Sequence, residues 1–141
     1  MSATSDTSTI APAQRAALLA AARAAMARAH APYSHFHVGA AVLDTQGRIH
    51  AGCNVENAAY PHTMCAERVA IFKAVSEGET EFDVVAVVTN NGGSPCGGCR
   101  QVMAEFGLDT IVLIADGSGN LKKEMSVAEL LPEAFTPKHL Q

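Results

Sequence analysis

The spacing of apolar and polar positions divides the chain into helices and strands. Between residues 13 and 29 the apolar positions Leu18, Leu19, Ala22, Ala25, Met26 and Ala29 recur at three and four, while Arg15, Arg23 and Arg28 take other faces. This predicts an amphipathic helix that starts near Pro12 and is stopped by Pro32. Residues 38–43 and 49–55 read as strands joined by Asp44-Thr45-Gln46-Gly47, a turn-forming tetrad, and so predict a β-hairpin. Residues 65–76 return to a helical period and end at Glu77-Gly78, where Gly suits a left-handed cap. Residues 82–89 carry Val84, Val85, Ala86, Val87 and Val88, a run of the kind buried on both faces of a sheet, and predict a central strand. A turn-rich loop over 90–95, a short helix over 96–106 and an apolar strand over 110–115 follow. Residues 121–125 read as an edge strand guarded by Lys122 and Lys123, and Ser126 caps a last helical turn through Leu131, before a short irregular tail from Pro132.

A hairpin followed by alternating strands and helices implies a mixed sheet with helices on its faces. The expected fold class is therefore α/β, a three-layer α/β/α sandwich around about five strands. At 141 residues the chain has the length of one domain, expected over residues 12–141, with residues 1–11 as a disordered tail that is polar through Thr9. A hydrophobic share of 48% is enough to fill a core. With 10 Lys+Arg against 14 Asp+Glu, no basic surplus drives polynucleotide binding, so a small molecule is the expected partner and not nucleic acid. No run of about 18 uncharged apolar residues is present, and the Ala/Leu-rich first helix is interrupted by arginines, so neither a membrane span nor an export signal is expected. The expected location is the cytoplasm.

Four cysteines, two of them at Cys96-Gly97-Gly98-Cys99, fit either disulfides in a secreted domain or thiolate ligands in a reducing compartment. Without an export signal the metal reading leads. Cys65 opens a different helix, and three thiolates could converge on one ion. Four protein ligands make a closed structural zinc site, whereas three leave a position for water, so the ligand count bears on function. Glu67, two residues after Cys65, lies in the same first turn, where its carboxylate can face a water without ligating the metal. Helix starts stabilise thiolates through free N–H groups and the positive dipole end. Arg68 and Arg100 are both placed to offset the negative charge by donating to sulfur or nearby carbonyls, and Arg68 is favoured.

Cys65-Ala66-Glu67 with Pro95-Cys96-Gly97-Gly98-Cys99 resembles the zinc nucleoside and nucleobase deaminases. The similarity narrows at Phe36-His37-Val38-Gly39-Ala40-Ala41, at Gly52-Cys53-Asn54-Val55-Glu56-Asn57-Ala58-Ala59-Tyr60, at Cys65-Ala66-Glu67-Arg68, at Cys99-Arg100-Gln101 and at Leu130-Leu131-Pro132-Glu133-Ala134-Phe135. These segments resemble the small homotetrameric cytidine deaminases of the cytidine/deoxycytidylate deaminase superfamily, over nearly all the chain after the tail. The resemblance implies one zinc ion per chain, Zn2+ held by Cys65, Cys96 and Cys99, and an activated water that adds to C4 of the pyrimidine. It implies that Glu67 shuttles the protons, that Asn54 and Glu56 grip the ribose hydroxyls, that Phe36 packs against the nucleoside and that the Ala66 N–H meets the pyrimidine carbonyl. Ala58, Tyr60 and Phe135 match positions that related tetramers lend to neighbouring subunits. The implied reaction is hydrolytic deamination of cytidine and 2′-deoxycytidine to uridine and 2′-deoxyuridine with release of ammonia, a step of pyrimidine salvage. Tyr60-Pro61-His62-Thr63-Met64 departs from the Gly-Leu of many bacterial members, which leaves the zinc motif alone and the pocket wall unassigned.

Simpler readings exist for each residue. A lone CxxC is most often a structural knuckle or redox pair, and His62 or Cys53 as a fourth ligand would close the site. Otherwise Cys53 reads as a small buried apolar residue. Glu56 could be a surface carboxylate, Asn54 a turn residue, and Phe36 and Phe135 core aromatics; His30, His35, His37, His50 and His139 read as solvated or satisfied in the core. The rivals are a deaminase of a cytosine-bearing antibiotic such as blasticidin S, a polynucleotide editor, and a non-catalytic zinc-stabilised interaction domain.

Overall fold

The computed structural model describes residues 10–141, so residues 1–9 of the tail expected over residues 1–11 lie outside the described residues. Ile10, placed in the tail by composition, packs against the core. Helix α1 spans Pro12–Met26, with the proline in its first turn and Leu18, Ala22 and Ala25 buried. Strands β1 (Val38–Asp44) and β2 (Ile49–Cys53) form the predicted hairpin. Helix α2 (Ala66–Ser76), strand β3 (Phe82–Thr89), helix α3 (Gly97–Phe106), strands β4 (Ile111–Ala115) and β5 (Leu121–Ser126) and the short helix α4 (Val127–Leu130) follow. Single 3-10 turns occupy Tyr60–His62 and Pro137–Leu140, the latter within the tail expected to be irregular.

The strands form one five-stranded sheet in the order β2-β1-β3-β4-β5. Only β3 and β4 run parallel, joined by the α3 crossover; the other pairings are antiparallel, which makes the sheet mixed as the pattern implies. Alternation along β3 and β4 feeds both faces. Val84, Ala86, Val88, Leu113 and Ala115 pack with Leu18 and Ala22 of α1. Val85, Val87, Val112 and Ile114 pack with Ala70 and Ile71 of α2 and Met103 of α3. The result is the three-layer sandwich.

Two glycines set how closely the helices approach. A Cβ at Gly39 of β1 would lie 1.9 Å from the Ala22 carbonyl oxygen of α1, and one at Gly52 of β2 would lie 2.7 Å from the Ala70 nitrogen of α2. Register places Gly52 opposite Ala40, so the two glycines face opposite sides and let main chain press on main chain from both directions.

The second hairpin strand ends earlier than the pattern predicts, at Cys53 and not Val55. The Asn54 side chain replaces the ladder: its Oδ1 accepts the Val38 N–H at 2.9 Å and its Nδ2 donates to the Phe36 carbonyl at 2.8 Å. Val55 then pairs with Met64 through reciprocal 2.9 Å hydrogen bonds, which fixes the chain immediately before Cys65.

At the far end of the hairpin Asp44 is fully buried. Its Oδ1 accepts the N–H groups of Gln46 and Arg48, each at 2.9 Å, and Oδ2 meets His50 Nε2 at 3.0 Å. His50 is thus satisfied in the core, its Nδ1 lying 3.1 Å from Glu77 at the C-terminal end of α2. Burial alone raises the Asp44 carboxyl, but the His50 contact and the two N–H donors outweigh it and bring the pKa down to about 2. The folded value lies below the unfolded one, so Asp44 stabilises the fold above about pH 4 and that contribution is lost as pH falls toward 2. Asp44→Asn is expected to lose about 1–2 kcal/mol near neutral pH. In thermal melts the gap from the natural chain should close on acidification, and a gap independent of pH would refute this account.

Candidate active site

Helices α2 and α3 lie on the same face of the sheet and bring their N-terminal ends together. Cys65 is the residue before α2, Cys96 the residue before α3, and Cys99 lies in the first turn of α3. The three sulfurs lie within 4.8 Å of one another, and among the described residues this is the one group of His, Cys, Asp or Glu side chains gathered closely enough for a metal. His62 and Cys53 stay outside it. Cys53 is half-buried at the end of β2, and not the fully buried apolar residue the sequence suggests.

Arg68, one turn into α2, donates from Nη2 to Cys65 Sγ at 3.1 Å. Arg100 turns away, donating to the carbonyls of Pro95 at 2.9 Å and Leu130 at 2.8 Å; it ties the loop before α3 to α4. The charge balance of the thiols follows from this arrangement. The Cys99 thiol beside Cys65 favours its ionisation, burial opposes it, and the Arg68 guanidinium favours it further, so its pKa falls to about 5. Cys99 is pushed up, because it donates to Cys65 and is buried near the negative charge of Glu67. One proton-bearing sulfur beside one thiolate is an arrangement in which a divalent cation can displace the remaining protons. Three soft donors at two helix starts, with a guanidinium on one of them, fit zinc.

The thiols form one wall of a cavity of about 220 Å³. Glu67 lines it too and is only 4% exposed. Burial raises its carboxyl above the usual range, opposed in part by its own backbone N–H. Phe36, Asn54 and Ala66 also line this cavity. Glu56 does not; it borders an adjoining groove of about 410 Å³ with Tyr33, Ser34, Tyr60 and Thr63. Thr63 belongs to both spaces and forms the partition. Three donors hold the Glu56 carboxylate: the hydroxyl and N–H of Ser34 and the N–H of Tyr33. They keep its pKa below the usual carboxylate range, the Ser34 hydroxyl contributing most. Ala58 and Phe135 line neither space, while Tyr60 is exposed with its ring edge-on to Tyr33 at 5.9 Å.

Sequence reasoning did not single out Val38, Val87, Thr89 or Ser94 as cavity walls, nor Ser34 as the holder of Glu56. Val38 lies in the segment over residues 36–41 but has no role assigned there, the others carry no motif, and the fold brings them to the site. A larger cavity of about 610 Å³ opens at the opposite end of β3, but no thiol or histidine lines it. The three thiols and Glu67 line the smaller one.

Fold and site together define a thiolate metal centre with a buried acidic side chain at the floor of a small-molecule cavity. The family model for the cytidine and deoxycytidylate deaminase zinc-binding region matches residues 12–115, and the chain belongs to that family. Zinc is its cofactor. The cytidine deaminase of Sporosarcina psychrophila is 48% identical over 126 residues, covering 87% of this chain and 92% of that one. The crystal structure of cytidine deaminase from Burkholderia pseudomallei superposes with a TM-score of 0.81 at 45% identity, covering 85% of this chain and 98% of that one. The blasticidin-S deaminase of Bacillus cereus is more distant, 34% identical over 110 residues, or 71% of this chain and 77% of that one.

Replacing a ligand and replacing the bystander cysteine should separate cleanly. Cys99→Ala is expected to lose most bound zinc and Cys53→Ala to retain about one ion per chain, read by metal analysis of the purified proteins. Loss of zinc in Cys53→Ala would instead make Cys53 a fourth sulfur ligand.

Proposed function

We propose that this protein deaminates cytidine and 2′-deoxycytidine hydrolytically, giving uridine and 2′-deoxyuridine with ammonia, as a step of pyrimidine salvage. The observation that carries the reading is the buried carboxylate of Glu67 set with three gathered thiols around a cavity of about 220 Å³. Cys65, Cys96 and Cys99 would hold zinc, with Arg68 offsetting their charge. When bound, zinc supplies a Lewis acid that makes water a nucleophile near neutral pH.

The chain's own residues do the rest. Glu67 takes a proton from the attacking water, delivers it to ring N3 and carries the second proton to the departing amine, serving as base and then as acid. The C4–O bond forms and the C4–N bond breaks; the water's oxygen stays on C4, one proton ends on N3 and the other leaves in ammonia. Ala66 is the first residue of α2, where N–H groups have no intrahelical acceptor, and its N–H is suited to the pyrimidine carbonyl. The Phe36 ring covers the base. The sugar passes Thr63 into the groove where Glu56, with Asn54 at the boundary, accepts its hydroxyls. That division into a base cavity and a sugar groove favours a nucleoside over an antibiotic of the blasticidin type.

The protein is proposed to act as a homotetramer with sites shared between subunits. Tyr60 and Phe135 are 70% and 55% exposed, large apolar surfaces that a second copy would cover, and Ala58 lies close to Tyr60 in the chain. Among the described residues no helix is long and apolar enough to cross a membrane. The cytoplasm, where thiols stay reduced, suits a site built from three cysteines.

Purified protein should contain about one zinc per chain, lower the ultraviolet absorbance of cytidine and release ammonia in step. Zinc without turnover of any cytosine nucleoside would favour an interaction domain, and faster turnover of blasticidin S than of cytidine would move the substrate. Glu67→Gln should keep its zinc and lose about 10²–10⁴-fold or more in kcat. Normal turnover in that variant would remove Glu67 from the mechanism. Light scattering at four times the chain mass is expected, and a monomer would overturn the shared site.

A further inference from the structure

The Ser34 hydroxyl joins two residues that meet different parts of the proposed substrate. It accepts the N–H of Phe36 at 3.0 Å and donates to Oε2 of Glu56. Oε1 of the same carboxylate takes the N–H groups of Tyr33 at 2.9 Å and Ser34 at 3.1 Å. Among the described residues no lysine or arginine pairs with Glu56, and these three donors make the hydrogen bonds to its carboxylate. The main chain secures Oε1, whereas Oε2 depends on the hydroxyl. Ser34 is exposed and belongs to neither core cluster, so this bridge adds nothing to the packing of the sheet.

A hydroxyl that accepts from an N–H has its proton directed elsewhere, and the two hydrogen bonds strengthen one another. A flexible carboxylate held before the ligand arrives loses less entropy on binding. Resting on the reading that Glu56 accepts from the sugar hydroxyls, we propose that Ser34 is a positioning residue for sugar recognition. Its hydroxyl fixes Glu56 relative to the Phe36 main chain, so that sugar and base are gripped in one mutual placement. Nothing in the sequence marks this serine, and its partner lies 22 residues away.

The test compares the zinc-loaded natural chain with Ser34→Ala and Ser34→Thr on cytidine and on 2′,3′-dideoxycytidine, which lacks both sugar-ring hydroxyls. Ser34→Ala is expected to raise KM for cytidine roughly tenfold with kcat within about twofold, the loss of one charge-assisted contact. The increase for the dideoxy substrate should be several-fold smaller, and Ser34→Thr, which keeps the hydroxyl, should recover most of the cytidine loss. Calorimetry with the product uridine reads the same contact without turnover, and its Kd should weaken by a similar factor in Ser34→Ala. Equal losses on both substrates, no loss on either, a threonine variant no better than alanine, or an alanine variant that does not fold would each overturn the proposal. A natural chain inactive on cytidine would refute the deamination reading itself, whereas an active one indifferent to Ser34→Ala refutes only the role of Ser34.

Discussion

Packing α2 and α3 side by side on one face of the sheet forces their N-terminal ends together, and with them Cys65, Cys96 and Cys99 to within 4.8 Å of one another. That convergence is the constraint on which the site depends. Helix starts leave N–H groups without intrahelical acceptors and present positive dipole ends, so they are the places where several thiolates and a carboxylate can be crowded at tolerable cost. The convergence in turn requires close seating of the layers. Gly52 lets the α2 main chain rest on β2, since a Cβ there would meet the Ala70 nitrogen at 2.7 Å and displace the helix that carries Cys65 and Glu67. The Val55–Met64 pair then delivers the chain to the start of α2 in a fixed direction.

Crowding negative groups needs a compensating charge, and Arg68 supplies it inside the same helix. A guanidinium suits this task better than an ammonium because its planar fork can meet sulfur with one arm while remaining charged in a partly dry setting. Its Nε is buried without a hydrogen-bond partner among the described residues. An unsatisfied buried donor of that kind costs about 1–3 kcal/mol, which exceeds what one surface contact returns. The same side chain places positive charge beside Cys65, where it offsets part of the crowding of the thiols.

The sheet and its helices were legible because they rest on periodicity. The β-branched run Val84 to Val88 reads as a strand covered on both faces, and the three-and-four spacing from Leu18 to Met26 as a helix with one buried stripe. The thiol cluster was legible for another reason: Cys65-Ala66-Glu67 and Cys96-Gly97-Gly98-Cys99 each place chemistry in a first helical turn, and a short motif survives translation into space. What pattern could not reveal were contacts between a side chain and a distant main chain. Asn54 looked like the continuation of β2, yet its amide bridges Phe36 and Val38 and ends the strand. Ser34 carries no motif of its own, yet its hydroxyl donates to Glu56. Such bonds join residues 16 to 22 positions apart and leave no periodic trace.

The segment from Tyr60 to Met64 lines both the thiol cavity and the adjoining groove without entering the thiol cluster. Pro61 lies inside a 3-10 turn, where its fixed φ suits the geometry and its missing N–H costs nothing. The turn carries Tyr60 outward against Tyr33 and returns the chain at Thr63, whose Oγ1 accepts the Asn57 N–H at 3.1 Å. Thr63 is thereby pinned from both directions, by the turn before it and by the Met64–Val55 pair after it. It is also the residue that lines both the cavity holding Glu67 and the groove holding Glu56. A residue pinned in this way fixes the wall between Glu67 and Glu56, and under the proposed function it would set the spacing between the groups that meet ring and sugar. Under that function, variation in the Pro61-His62 pair would act through Thr63 on the span of the ligand, while Cys65, Cys96, Cys99 and Glu67, set at the starts of α2 and α3, keep their places.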